Sequence, residues 1–147
     1  MNLNSHPVCR FYSDIISTGD TALVEELFTE DFTLHGAPGA VLVPEKVAGR
    51  EAFTELLSGF LDTFEVDVSV DEVLQQDNTV SALLTVNATQ KKEFLGLAPG
   101  GKATYSALNF FRLEEGKIAE EWQSEDFVGM LIQLGFKLYD PNGKLVV

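Results

Sequence analysis

The sequence has one cysteine, Cys9, so it can form no internal disulfide, and a reducing, cytoplasmic setting is expected. Cys9 lies in an apolar N-terminal stretch and reads as an inert buried thiol. Histidine is nearly as scarce: His6 and His35 stand alone, without the clustered partners that a zinc or iron site needs, so no metal is expected. Basic residues are few, with 10 Lys and Arg against 23 Asp and Glu, a net charge of −13. Such a chain repels phosphate backbones and anionic membrane surfaces, which excludes nucleic acid and membrane as expected partners. No apolar run reaches the roughly 18 residues of a membrane helix, and no basic segment followed by an apolar core marks a signal peptide. The glycines of Leu95-Gly96-Leu97-Ala98-Pro99-Gly100-Gly101-Lys102 do not have phosphate-loop spacing, and no G-x-S-x-G occurs.

What is present is apolar and aromatic. Hydrophobic residues make up 45% of the 147 and charged residues 22%, with 11 Phe, enough for one domain over residues 1–147 with a core and room for a ligand cavity. Residues 136–147, which contain Pro141-Asn142-Gly143, read as a terminal extension.

Helical spacing comes first along the chain. Val8, Phe11, Tyr12, Ile15 and Ile16 predict a helix over 6–17, ended by Gly19. Asp20 caps a second through Phe28, 31–35 reads as a short strand, a loop opened by Gly36, Pro38 and Gly39 runs to about Lys46, and Phe53, Leu56, Leu57, Phe60 and Leu61 stripe a third helix over 49–63. From Val66 the period becomes two. Strands are predicted from Val66 to about Gln75, Thr79 to about Lys91, Lys102 to Leu113 and Lys117 to Asp126, then a helix to Leu134. Helices before a long antiparallel meander give an α+β fold: a curved antiparallel sheet closing as a cone-shaped barrel, with the N-terminal helices covering its concave face.

The last hairpin carries the most information. A three-residue loop, Glu114-Glu115-Gly116, would set Leu113 beside Lys117 and pair Phe111 with Ala119, Asn109 with Glu121 and Ala107 with Gln123. One face then collects Tyr105, Asn109, Glu121, Gln123 and Glu125 around Phe111; the other collects Leu108, Phe110, Ile118 and Trp122. A two-residue loop would slip the register by one and set Asn109 against Trp122. The polar strip either faces an enclosed cavity, where a ligand or neighbouring groups must satisfy it, or faces water with the aromatic face as the core.

In order and spacing several segments resemble the SnoaL-like polyketide cyclases of the nuclear-transport-factor-2-like superfamily. They are Ser17-Thr18-Gly19-Asp20, Leu27 to Phe32 with His35, Gly49-Arg50-Glu51, Gln76 to Val80, Phe94 to Lys102, Phe111-Arg112, Gly116-Lys117-Ile118, Glu120-Glu121-Trp122 and Gln133-Leu134-Gly135. The resemblance, over about 17–135, implies a cone-shaped α+β barrel with a deep apolar pocket, often a homodimer through its sheet. It implies a cofactor-free intramolecular aldol condensation in which a carboxylate removes a proton between carbonyl groups and the enolate closes a ring. The family's acid/base aspartate falls on Gln123, a frequent histidine on Glu121, another on Gln90 or its neighbour, and the partner on the preceding strand is Asn109. The leading expectation is a cyclase or isomerase acting on a small apolar carbonyl compound. Glu121 is then the base, Asn109 and Gln123 orient the substrate, and Trp122, Tyr105, Phe111, His35, Phe60 and Gln90 are candidate ligand contacts. The alternatives are a non-catalytic small-molecule-binding domain of the same fold and a plain oligomerisation module with a filled core.

Overall fold

The computed structural model describes all 147 residues. The first helix, α1 (Pro7–Arg10), is capped by His6, whose Nδ1 accepts from Val8 N at 3.2 Å. It runs on through Phe11–Ile16 as a wider π turn, in which Ser17 N reaches back five residues to Tyr12 O at 2.9 Å. The second helix, α2 (Val24–Leu27), is shorter than the spacing suggests, because Phe28 already enters the sheet. Strand β1 (Phe28–His35) pairs with β2 (Lys46–Ala48), a three-residue strand, not expected from the sequence, between the end of the loop and the third helix. Then come α3 (Arg50–Thr63), β3 (Phe64–Gln76), β4 (Thr79–Gln90), β5 (Lys102–Glu114), β6 (Lys117–Trp122) and α4 (Phe127–Leu134). No helix is long and apolar enough to cross a membrane.

The architecture is α+β, with one six-stranded sheet in the order β2-β1-β6-β5-β4-β3. Two expectations are corrected. The sheet is mixed, since β1 lies parallel to β6, and it does not close: β2 and β3 remain its two edges, so the cone is open. On β4 and β5 the period of two is strict. Val80, Ala82, Leu84, Val86 and Ala88, then Ala103, Tyr105, Ala107, Asn109 and Phe111, all face the core that α1, its π turn and α3 cover.

The β5–β6 hairpin departs from the expected register. Glu115 (φ 49°) and Gly116 (φ 78°) are both left-handed, which makes a two-residue turn with Glu114 opposite Lys117 and Leu113 opposite Ile118. The pairs expected from a three-residue loop are therefore not formed. Ala119 is then an extra residue: pairing resumes at Arg112 with Glu120, Phe111 with Glu121 and Phe110 with Trp122, and Ala107 meets Glu125 rather than Gln123. Ile118, expected outside, is fully buried, and the bulge turns Glu121 back to the inner face. Beyond Trp122 regular pairing stops, although Gln123 N still donates to His35 O at 2.9 Å and Leu108 N to Ser124 O at 2.9 Å. After Gly135 the chain folds back on itself through a bridge between Tyr139 and Leu145.

Candidate active site

Between the sheet and the helices lies a cavity of about 440 Å³, lined by 23 residues of which 17 are hydrophobic. Its walls come from the π turn (Phe11, Tyr12), α3 (Phe53, Phe60) and the inner faces of the strands, so distant segments of chain meet around one space. Apart from Glu55 and Thr63 on α3, the polar side chains gather where β5, β6 and the segment after β6 face the π turn: Tyr12, Tyr105, Glu121, Gln123 and Glu125.

Glu121 is fully buried, and neither of its carboxyl oxygens has a hydrogen-bond partner in the protein. Burial, then the neighbouring Glu125 carboxyl, pushes its pKa up to about 8, with the Gln123 side chain pulling the other way. Glu125 is half-buried, and burial raises its pKa too, against a hydrogen bond from Asn109. The Gln123 carbonyl oxygen is also unpartnered.

Asn109 stands behind this wall and fixes it. Its Oδ1 accepts from Ser124 N at 3.0 Å, which sets the amide orientation. Its Nδ2 then donates to Tyr12 Oη at 2.9 Å and to Glu125 Oε1 at 3.0 Å. Tyr12 Oη is used as an acceptor, so its own proton is left for the cavity. Burial and the carboxyls of Glu121 and Glu125 hold that hydroxyl protonated far above the usual range. The ring is clamped by Phe11, at 4.8 Å between centroids, and by Phe111 at 6.3 Å.

The sequence-derived candidates divide accordingly. Glu121, Gln123, Tyr105 and Phe60 line the cavity, and Asn109 acts one shell back. Phe111 is buried behind Tyr12. Gln90 is buried away from the cavity, where its Nε2 donates to Lys92 O at 2.8 Å and Leu97 O at 2.9 Å and so ties down the loop before β5. His35 and Trp122 lie on the opposite face of the sheet, stacked at 4.8 Å and 9°, with His35 Nε2 2.9 Å from Glu120 Oε2. Strand alternation puts Trp122 outward once its neighbour Glu121 points inward. Arg112, then His35, holds the Glu120 carboxyl below its usual range.

Two residues of the site were not among those candidates. Glu125 shares an alternating face with Glu121, so its signal was in the strand pattern. Tyr12 sits in the apolar stripe of the first helix, and nothing local marks it as anything but core. No group of three or more His, Cys, Asp or Glu side chains is arranged to hold a metal ion.

An open cone of sheet wrapped around a cavity, with helices closing one side, defines the nuclear-transport-factor-2-like class of α+β fold. The SnoaL-like polyketide cyclase profile matches residues 6–134, and the chain belongs to that family. Among solved structures it is similar to IdmH of Streptomyces antibioticus, a proposed polyketide cyclase, at 25% identity over 92% of this chain and 100% of that one, with a TM-score of 0.77. A proposed SnoaL-like polyketide cyclase of Jannaschia sp. CCS1 shares 19% identity over 90% and 91%, TM-score 0.77. An LEH-like epoxide hydrolase of M. tuberculosis shares 13% over 90% and 89%, TM-score 0.69. The last two likenesses bear on the fold alone. No curated protein matches the sequence.

Proposed function

We propose that the protein is a cyclase or isomerase that performs acid/base chemistry on a small, largely apolar carbonyl compound held in the cavity. The observation that carries this reading is Glu121: a buried carboxyl with both oxygens unpartnered, facing an apolar space, with its pKa raised to about 8. A carboxyl so placed is a stronger base than an ordinary one and sits near working pH. Glu121 takes the proton from the carbon next to a carbonyl, and the C–H electron pair moves into the new C=C bond. The oxygen that gains charge accepts a hydrogen bond from Tyr12, whose hydroxyl keeps its proton. The enolate carbon then attacks a second carbonyl of the same molecule, a C–C bond forms, and Glu121 returns its proton to the new alkoxide. Only side chains take part. Asn109 is a positioning residue that aims Tyr12, and Gln123 orients the substrate.

The test is deuterium incorporation from D2O into 2-tetralone, a neutral enolisable ketone, followed by proton NMR. Wild-type protein accelerates exchange and Glu121→Gln does not; exchange undiminished in Glu121→Gln removes Glu121 from the chemistry. A binding domain without turnover is the second reading, favoured by Gln123, which cannot exchange a proton where the resemblance places the family's aspartate. It predicts saturable binding of 2-tetralone with no exchange by wild-type protein. In either case we propose a homodimer, with the outer face of the sheet against a second copy.

A further inference from the structure

We propose that the cavity selects a cationic ligand, an apolar and partly aromatic small molecule carrying a protonated amine that the Glu121 and Glu125 carboxyls neutralise. This deepens the reading above, because it names the substrate class of the same cavity and rests on that cavity being where the substrate binds.

The charge inventory is the first ground. The charged side chains among the lining residues are Glu55, Glu121 and Glu125, and no Lys, Arg or His joins them. Glu55 is exposed, whereas Glu121 and Glu125 lie together at the polar end. A carboxylate or phosphate on the ligand would be buried with no cationic side chain to pair with it.

Hydrogen-bond complementarity is the second ground. The unpartnered buried atoms at this end are Glu121 Oε1, Glu121 Oε2 and Gln123 Oε1. With Glu121 ionised, all three are acceptors and call for a group that donates several hydrogen bonds at once. An ammonium has three donors and no acceptor. A hydroxyl has one donor to offer these acceptors.

The walls supply the third ground. Phe11, Tyr12, Tyr105 and Phe127 line the same cavity as the two carboxyls, and aromatic faces attract cations where water is excluded. The net charge of −13 adds long-range attraction for a positive ligand. The ammonium also favours the ionised form of Glu121, which raises the fraction of base available at neutral pH and lowers its strength.

Three compounds on the skeleton of the exchange probe differ only in charge, and their dissociation constants can be measured by calorimetry at neutral pH. They are 2-aminotetralin, protonated there, the neutral 2-tetralol, and the anionic tetralin-2-carboxylate. We expect the amine to bind at least about tenfold more tightly than the alcohol, from cation–π and ion-pair contributions in a desolvated site, and the carboxylate more weakly than both. In the Glu121→Gln/Glu125→Gln variant the amine's advantage falls to within about threefold, while continued binding of the alcohol reports an intact cavity. The proposal is overturned if the alcohol binds as tightly as the amine. It is also overturned if the advantage survives undiminished in the double variant, which would make it a property of the acidic surface. Exchange into 2-tetralone by the single Glu121→Gln variant reads the base separately, so failure of the charge preference and failure of the acid/base reading are distinct results.

Discussion

Glu121 has lost its hydration on folding, and the Gln123 side chain offsets only part of that loss, so it opposes the fold that holds it. Its folded pKa of about 8 lies above the 4.5 of an ordinary glutamate. Between those values the folded protein binds more protons than the unfolded chain, so stability falls as pH rises through that window. Below about pH 4.5 the effect is absent; above about pH 8 it reaches on the order of 5 kcal/mol. Thermal melts should therefore show Glu121→Gln more stable than wild type at pH 8–9, with the gap closing toward pH 5. In the exchange reaction, kcat/KM should climb with pH up to about 8 and then level, because the base works only when ionised; a profile flat from pH 6 to 9 would exclude Glu121. Tyr12→Phe keeps the ring that packs on Phe11 and Phe111 but loses the donor. Removing one such donor lowers kcat by roughly a hundredfold, and the exchange rate should drop by that much with KM little changed.

At the scale of elements, the β5–β6 hairpin decides which residues see the cavity. A tight turn alone would carry every later residue of β6 to the other face. The Ala119 bulge undoes that shift, leaving Glu121 inside and Trp122 outside. The turn holds Glu115 at φ 49°, a conformation that asparagine adopts more readily than glutamate. Glu115→Asn should accordingly stabilise the protein by about 1 kcal/mol, seen as a higher urea midpoint with an unchanged slope. The alternation on β4 and β5 was legible in sequence because packing against one buried face enforces a period of two. The turn length and the bulge were not, since Glu114-Glu115-Gly116 suits two loop lengths and only the pairing of the whole strand chooses between them. The π turn was likewise hidden, because its residues have the apolar spacing of any buried helix.

Over the whole molecule, the open sheet has two unlike faces. The inner one holds the core and the cavity; the outer one leaves Leu83, Leu108, Phe110 and Trp122 between 38% and 55% exposed. Apolar side chains gathered on one sheet face are what an interface between copies would cover. Sedimentation should give a dimer, and Phe110→Glu, placed at the centre of that face, should yield a folded monomer. A monomer at all concentrations for the wild type would remove the proposed pairing. His35 and Trp122 belong to this outer surface, together with Glu120 and Arg112, rather than to the cavity.

The sequence by itself determined the α+β class, the order of the main helices and strands and the alternation along β4 and β5, because hydrophobic periodicity is a local consequence of burial. The tertiary structure alone decided that Tyr12 and Asn109, 97 residues apart, share a hydrogen bond beside Glu121. Strand order, the open edge of the sheet and the meeting of π turn with hairpin depend on contacts between distant segments. No local pattern of side chains encodes those contacts one at a time.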